Sequence, residues 1–309
     1  MTAAYERTTT AMGTVVTIRL AGGPAADRPV RAQRALDWFA RVEECCSRFD
    51  PSSELRRMGH HVGHPFAASE ILFEATRFAL AVARASDGAF DPTVGTTMES
   101  LGYDVAWQTG ERAPSRLPVD ATVSWRDIEL DEAEHTITLL RPLVLDLGAV
   151  AKGLAVDLAA AELADLEHFA IDAGGDLYLA GHNSRDEPWR VGVRHPRDAS
   201  TQIACLRISG AAVCTSGDYE RRSPAGDAHH IVDPRLGSSA SGAVSVTVVA
   251  PRAMVADALA TAAFVLGPAR GIAFLERQGV DGLILSPSLV RTESAGFHHH
   301  FDTADATPR

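Results

Sequence analysis

The stretch that decides the fold is Leu143–Asp157, with the sequence LVLDLGAVAKGLAVD. Residues 143–145 predict an apolar strand that runs into Asp146, and Gly148 ends that strand. A helical pattern follows, with Lys152 in its first turns. A helix start directs backbone N–H groups and a partial positive charge to one point, and a lysine adds to it, so a phosphate or diphosphate site is indicated. The alternative is an ordinary strand–helix junction with a solvated lysine, because the spacing matches neither GxxxxGK[ST] nor GxGxxG.

The composition is that of a folded protein with a net negative charge. The 309 residues are 46% hydrophobic and 22% charged, which is close to globular averages and enough for a substantial core. We expect a single domain over 1–309, with its core at 12–285, a surface excursion at 104–124 and a frayed tail at 297–309. The net charge of −11 and the lack of any run of Lys or Arg argue against nucleic acid as a partner.

The sequence also bears on compartment. No apolar run approaches the length of a membrane span, and the first residues lack a basic region followed by an apolar block. The four cysteines form no CxxC pair. We therefore expect no signal peptide, no membrane partner, reduced thiols and a cytoplasmic location.

Short strands dominate the middle of the chain. The patterns predict helices at 31–46, 69–86, 253–266 and 271–278, and many short strands between 128 and 214. Residues 1–11 are expected to be loose. Such closely spaced strands favour antiparallel pairing, so we predict an α+β fold with mixed, largely antiparallel sheets flanked by helices.

The predicted helix at 253–266 carries the most specific chemical signal. One face is an apolar stripe, whereas Asp257 and Thr261 lie one turn apart on the opposite face. A buried carboxylate is costly unless it is paired, protonated or bound to a cation, and this helix offers no Lys or Arg one turn away. A hard cation such as Mg²⁺ or Ca²⁺ would suit these oxygen ligands. Alternatively, Asp257 caps a helix or pairs with a distant residue.

His230 is a candidate general base. Asp233 follows it three residues later, and an imidazole changes its charge near neutral pH. The other interpretation is a local hydrogen bond at the surface. Cys214 and Ser216 lie nearby in sequence, but the chain has no GxSxG elbow that would support a hydrolase. We expect His298–His300 to be a solvated tract.

Six short motifs follow one another along the chain. They are MGT at 12–14, GAFDPT at 88–93, DLGAVAKG at 146–153, GGD at 174–176, TSGDYER at 215–221 with HIVDP at 230–234, and ADALATA at 256–262. Together they resemble the FAD:protein FMN transferase (ApbE) family, over roughly residues 12 to 285. The resemblance implies an ApbE-like architecture related to the T-fold.

The resemblance also implies a reaction. Members use FAD and Mg²⁺ to place FMN on a threonine hydroxyl of an acceptor flavoprotein and release AMP. The residues that it implies are His230 as the base; Met12, Ala89, Phe90, Asp91, Asp146, Lys152, Asp218, Tyr219 and Ile231 at the FAD; and Asp257, Thr261 and the backbone carbonyl of Ala149 at the Mg²⁺. A metal and a lysine neutralise charge on a diphosphate, and a base assists a threonine hydroxyl, so the chemistry agrees with these residue types.

Two of these motifs depart from the family's pattern. Ala149 stands where members often have glycine, which a backbone-carbonyl ligand tolerates, and Asp172-Ala173 precede the GGD motif where Asn-Leu is common. Many members are exported lipoproteins, whereas this sequence shows no export signal. Two other functions stay open: hydrolysis of FAD to FMN and AMP, and non-catalytic FAD binding.

Overall fold

The computed structural model describes residues 4–106, 109–117, 122–221 and 228–302. The helices are α1 (Arg28–Cys46), α2 (Glu54–Met58), α3 (Glu70–Ala85), α4 (Gly95–Ser100), α5 (Gly148–Glu162), α6 (Ala253–Leu266) and α7 (Pro268–Arg277). The strands are β1 (Tyr5–Ala11), β2 (Thr14–Leu20), β3 (Phe66–Ala67), β4 (Ile128–Asp131), β5 (Thr136–Leu139), β6 (Phe169–Ala173), β7 (Asp176–Ala180), β8 (Trp189–His195), β9 (Asp198–Ile208), β10 (Ala211–Gly217), β11 (Val232–Asp233), β12 (Ser238–Ser239), β13 (Ser245–Ala250), β14 (Asp281–Leu285) and β15 (Arg291–Glu293). Short 3₁₀ helices lie at Trp125–Asp127 and Phe297–His300.

An eight-stranded sheet forms the centre of the fold. Its strand order is β1-β2-β6-β7-β10-β13-β14-β15, and every neighbouring pair is antiparallel. Smaller sheets pair β3-β5-β4, β8-β9 and β11-β12. Helix α6 packs against β10 and β13, and α1 packs against β1 and β2. The predicted α+β fold with largely antiparallel sheets is confirmed.

The two faces of the central sheet bury separate cores because side chains alternate along a strand. On β10, Ala212 and Cys214 join the large core beneath the helices. Val213, between them, joins a second core with Val193 and Leu206 of the β8–β9 hairpin. The hairpin therefore covers the face of the sheet opposite the helices.

Helices α5 and α6 cross at a point where only glycine fits. A Cβ on Gly153 would lie 2.5 Å from the Cα of Met254 and 2.6 Å from the carbonyl oxygen of Ala253. Asp157, one turn further along α5, accepts hydrogen bonds from the N–H groups of Ala253 and Met254, at 2.7 and 3.1 Å. Asp157 thereby caps the start of α6. The N-cap residue itself, Arg252, makes no side-chain hydrogen bond to the helix.

The predicted strand at residues 143–145 is wrong. The segment is buried but belongs to no sheet, because its neighbours are a turn and a helix start rather than a strand. The carbonyl of Val144 accepts a hydrogen bond from the N–H of Gly95 at 3.2 Å, and the N–H of Asp146 donates to the carbonyl of Pro92 at 2.8 Å. An apolar run can be buried without joining a β-ladder, and periodicity does not separate the two cases.

Both described ends of the chain are more ordered than predicted. Residues 5–11 form β1, which pairs with β2 along its whole length. The prediction of a loose N-terminal segment is therefore wrong for these residues. At the other end, Phe297 is fully buried and the N–H of Asp302 donates to the carbonyl of Cys205 at 2.9 Å. The prediction of a frayed tail is therefore wrong for residues 297–302. Residues 303–309 lie outside the described part of the chain.

The predicted surface excursion at 104–124 is partly buried. Asp104 is 1% exposed and its carboxylate pairs with Arg112 at 2.7 Å. Ser115 is also buried and bonds the carboxylate of Glu99. Residues 107–108 and 118–121 lie outside the described part of the chain. The single domain over 1–309 stays a prediction. None of the helices in the described ranges combines the length and the apolar composition that a membrane span requires.

Candidate active site

Asp146 organises the start of α5. Its Oδ1 accepts a hydrogen bond from the N–H of Gly148 at 2.8 Å, and its Oδ2 lies 2.6 Å from the Nε of Arg48. Burial opposes ionisation of Asp146, but the Arg48 guanidinium and the Gly148 N–H outweigh it and lower the pKa of this carboxyl. The helix start therefore already holds a carboxylate of the protein itself, and its N–H groups are not all free as the sequence suggested.

Lys152 lies between two carboxylates. Its Nζ contacts Asp176, the first residue of β7, and lies 3.2 Å from the Oδ2 of Asp257 on α6. The three side chains are largely buried, with 16%, 5% and 10% of their surfaces exposed. The prediction of a solvated Lys152 is thus wrong. Asp257 pairs with a residue distant in sequence, which was one of the interpretations given for it. One ammonium against two carboxylates leaves an excess of negative charge in this contact.

Lys152 is the only lysine in the sequence, in which the other Lys-or-Arg positions are all arginine. The ammonium is a compact point charge, whereas guanidinium is a wide planar fork. The compact ammonium of Lys152 contacts two largely buried carboxylates at once.

The polar face of α6 meets a hydroxyl from the sheet. Asp257 and Thr261 lie one turn apart on α6, and the Oγ1 of Thr261 lies 3.3 Å from the Oγ of Ser216 on β10. Ala149 and Lys152 are three residues apart on α5 and so share one helix face. The contact of α5 and α6 therefore collects a carboxylate, two hydroxyls and the first turns of α5.

These donors fit a hard divalent cation that a ligand helps to coordinate. They are oxygen atoms, and the charge excess beside Lys152 is negative, as Mg²⁺ prefers. Among the described residues, no cluster of three or more His, Cys, Asp or Glu could hold a metal ion by itself. A cation here would complete its shell with backbone, water or ligand oxygens, as Mg²⁺ does at phosphate sites.

His230 is a neutral imidazole with a defined orientation. Its Nδ1 lies 3.2 Å from the carbonyl oxygen of Glu220. Since a carbonyl only accepts, Nδ1 carries the proton and Nε2 is the proton acceptor. Burial and the charge of Arg221 lower the pKa of His230 to about 3. The charges of Asp146 and Lys152 also act on this imidazole, so it lies near the start of α5.

Asp218 and Tyr219 are engaged by the β8–β9 hairpin. The Nη1 and Nη2 atoms of Arg197 lie 2.6 and 2.7 Å from the two carboxylate oxygens of Asp218. The guanidinium of Arg194 lies 4.8 Å from the ring centroid of Tyr219 and pairs with the carboxylate of Glu220. The loop after β10 is thus fixed from the face of the sheet opposite the helices.

Met12 lies in a strained turn between β1 and β2. Its φ is 50°, in a region that residues other than glycine rarely adopt. Its N–H donates to the carboxylate of Glu43 at 3.1 Å. Gly174 passes so close to the end of this turn that a Cβ there would lie 2.1 Å from the Oγ1 of Thr14. The MGT and GGD motifs therefore touch.

The AFD turn is buried, and Asp91 is used within it. One oxygen of Asp91 accepts from the N–H and hydroxyl of Thr93, at 2.9 and 2.7 Å, and the other accepts from the N–H of Trp125 at 3.1 Å. Burial raises the pKa of Asp91 despite these bonds. This carboxylate stabilises the turn that carries Ala89 and Phe90.

A cleft has a volume of about 650 Å³. Its lining includes Glu43, which holds Met12, Phe49, which follows Arg48, and Arg112. Its volume is within the range of small-molecule sites.

The structure brings two of the predicted site residues, Lys152 and Asp257, into direct contact. Ile231, which follows His230 in sequence, is instead buried in the main core. Sequence reasoning missed Arg48 and Asp176. The GGD motif was a signal for Asp176, but nothing marked Arg48, whose partner lies 98 residues away.

Comparisons with known proteins lead to one family. A family model described as the ApbE family matches residues 12–284. The chain is similar to the FAD:protein FMN transferase of Treponema pallidum, with 31% identity over 328 residues that cover 98% of this chain and 90% of the relative. It is also similar to the FAD:protein FMN transferase of Vibrio cholerae, with 30% identity over 288 residues that cover 89% of this chain and 85% of the relative.

Solved structures give the same result. The crystal structure of the ApbE protein from Thermotoga maritima has a TM-score of 0.86 at 30% identity and covers 97% of this chain and 100% of that one. The flavin transferase ApbE from Vibrio cholerae has a TM-score of 0.80 at 26% identity, with the same coverage of 97% and 100%.

Proposed function

Since the chain belongs to the ApbE family, its activity is the transfer of FMN from FAD to a protein, and we propose that the acceptor is a threonine hydroxyl of a flavoprotein. We further propose that Mg²⁺ assists the transfer and that AMP is released. The observation that carries these details is the contact of α5 with α6, where Lys152 meets Asp257 beside the neutral imidazole of His230.

The diphosphate of FAD is proposed to lie against this contact. Lys152 is the compact cation that can turn from the Asp257 carboxylate to the phosphate oxygens while Asp176 still holds it. Met12 and the cleft lined by Glu43 and Phe49 are proposed to receive the remainder of the donor, because Glu43 holds Met12 and Phe49 follows Arg48, which binds Asp146 at the start of α5. Arg48 supports the site indirectly by fixing Asp146 at the start of α5.

Asp257, Thr261 and the backbone carbonyl of Ala149 are the residues proposed to hold Mg²⁺. The ion would neutralise charge on the diphosphate when bound. The oxygen donors and the excess of negative charge around Lys152 support this assignment.

His230 is proposed to accept the proton of the attacking threonine at Nε2. The threonine oxygen then bonds to the FMN phosphorus, the bond from that phosphorus to the bridging oxygen breaks, and AMP departs with that oxygen. The hydrogen bond from the Nδ1–H of His230 to the Glu220 carbonyl supports this role, because it leaves Nε2 as the atom that can accept a proton. A base in this position contributes typically about 10²–10⁴-fold to the rate.

Intact-mass analysis of a candidate acceptor flavoprotein tests the proposal. After incubation with FAD, MgCl₂ and the enzyme, we expect the acceptor to gain one FMN less one water, and fragmentation to locate it on a threonine. Free FMN and AMP with an unlabelled acceptor would instead indicate hydrolysis of FAD. FAD binding with neither product would indicate a binding protein. His230→Gln should bind FAD and lose transfer. A cytoplasmic location stays a prediction, which cell fractionation would test.

A further inference from the structure

The β8–β9 hairpin packs on the face of the central sheet opposite the helices that carry Lys152 and Asp257. Val193 and Leu206 of the hairpin pack with Val213 and Val249 of the central sheet in the second core. This packing gives the hairpin a rigid base. Its tip carries Arg194 and Arg197, which reach the loop that follows β10.

Each residue of that loop, 218–220, meets one of the two arginines. Arg197 binds the carboxylate of Asp218 with both Nη atoms, at 2.6 and 2.7 Å, and this carboxylate is only 16% exposed. Arg194 covers the ring of Tyr219 and pairs with Glu220. A two-bond fork on a carboxylate fixes orientation as well as distance, so the Arg197 contact has the better geometry for holding the loop.

The loop in turn determines how His230 is oriented. The carbonyl oxygen of Glu220 lies 3.2 Å from the Nδ1 of His230 and accepts its proton in a hydrogen bond. The N–H of Asp218 donates to the carbonyl of Val244 at 3.1 Å, which ties the loop's first residue to the sheet. The backbone between these two points is restrained by the side chains that the arginines hold.

We propose that Arg197 and Arg194 are positioning residues for His230, acting through the backbone of residues 218–220. They hold the carbonyl of Glu220 within hydrogen-bond distance of the Nδ1 of His230. This bond keeps the imidazole proton on Nδ1, so that Nε2 can accept the proton of the acceptor hydroxyl. This inference rests on the proposed function, in which His230 is the base. It assigns Asp218 a role as the anchor of the loop, through Arg197.

Nitrogen-detected NMR of the histidine side chains tests the first step without any substrate. The signals of His230 are identified by their absence from His230→Gln. We expect the Nδ1–H tautomer in the native protein and a shift toward the Nε2–H tautomer, which free histidine prefers, in Arg197→Gln. Arg207→Gln is the matched control, since Arg207 is exposed on the same hairpin and should leave the His230 spectrum unchanged. An unaltered tautomer in Arg197→Gln would overturn the proposal.

Kinetics test the second step, with AMP release from FAD in the presence of MgCl₂ and a candidate acceptor flavoprotein. We expect kcat to fall about 10- to 100-fold in Arg197→Gln, since small displacements of a catalytic group cost about that much, while KM for FAD changes little. Arg197→Lys keeps a charged contact with the Asp218 carboxylate and should lose less of kcat than Arg197→Gln. Equal loss in the two variants would overturn the proposal. Full activity of His230→Gln would remove the role of His230 in the proposed function, whereas the NMR result would still report on the loop.

Discussion

The ammonium of Lys152 lies 3.2 Å from the carboxylate of Asp257, across the crossing of α5 and α6. On its other side it contacts the carboxylate of Asp176. The sequence showed the acid on α6 as a charge without a partner on its own helix. Its partner, Lys152, comes from the DLGAVAKG motif, 105 residues away. The electrostatic balance of the site therefore depends on one side chain.

Replacement of Lys152 by methionine should destabilise the protein in the absence of divalent cations. Removing one partner of a buried ion pair leaves an uncompensated charge and costs about 3–5 kcal/mol, and here two carboxylates lose their counter-charge. Because the vacated site is more negative, MgCl₂ should raise the melting temperature of the variant more than that of the native protein. Urea unfolding and thermal scans with and without MgCl₂ measure both effects. A variant of native stability would contradict the arrangement described for these three side chains.

The assignment of Asp257 as the cation ligand is tested by comparing two variants. Asp257→Asn and Asp176→Asn each remove one carboxylate from Lys152, but only the first removes the proposed ligand. We expect Asp257→Asn to lose Mg²⁺ binding in titration calorimetry, together with Mg²⁺-dependent transfer. Asp176→Asn should keep measurable Mg²⁺ binding, because Asp257 and Thr261 remain. Loss of binding in Asp176→Asn alone would place the cation at β7 instead.

The lowered pKa of His230 predicts a pH dependence of stability. An unfolded histidine titrates near about 6.5, whereas His230 titrates at about 3 in the folded protein, so the unfolded state binds more protons between these values. The free energy of unfolding should therefore fall as the pH is lowered through this window. Burial is the main cause of the lowered pKa of His230, and the charges of Arg221, His229 and Lys152 lower it further. The charge of Asp146 opposes them and raises this pKa.

His230→Gln removes this contribution and should lose less stability than the native protein between about pH 7 and about pH 4.5. Urea unfolding at the two pH values measures the difference. His60→Gln is the control, since His60 is exposed and should leave the native pH dependence in place. If His230→Gln and the native protein lose the same stability, the imidazole of His230 does not titrate at an unusually low pH.

The parts of this fold that depend on local chemistry could be predicted from the sequence. The apolar stripe and the following Gly267 bound α6 at Ala253–Leu266, and the GGD motif makes a turn with positive φ at both glycines. Strand β1 was missed because YERTTTA carries no apolar alternation. It lies at the edge of the sheet, where β-branched threonine suffices for pairing.

The contacts within the candidate site could not be predicted, because they join residues distant in sequence. Arg48 meets Asp146, Arg197 meets Asp218, and Lys152 meets Asp257 only after the helices and the sheet have packed. A single sequence marks which side chains have unusual surroundings, such as an acid on an apolar helix. It does not identify the partner, since strand order and helix crossing determine that choice.

The crossing of α5 and α6 gives a prediction in which packing and helix propensity have opposite signs. In an exposed helix, alanine is more favourable than glycine by about 1 kcal/mol, so Gly153→Ala would be stabilising on propensity alone. Here the added Cβ would lie 2.5 and 2.6 Å from backbone atoms of Met254 and Ala253, which cannot rotate away. We therefore expect a loss of about 1–3 kcal/mol, as for other overpacked sites, and a wider separation of Lys152 from Asp257.

Thermal and urea unfolding of Gly153→Ala measure the loss of stability, and Mg²⁺ titration measures the effect on the site. Ala161→Gly, at an exposed position of the same helix, is the control for propensity and should cost about 1 kcal/mol with unchanged Mg²⁺ binding. If Gly153→Ala is as stable as the native protein and binds Mg²⁺ equally well, the helices do not approach as closely as described. In that case Lys152 and Asp257 would not depend on this glycine for their contact.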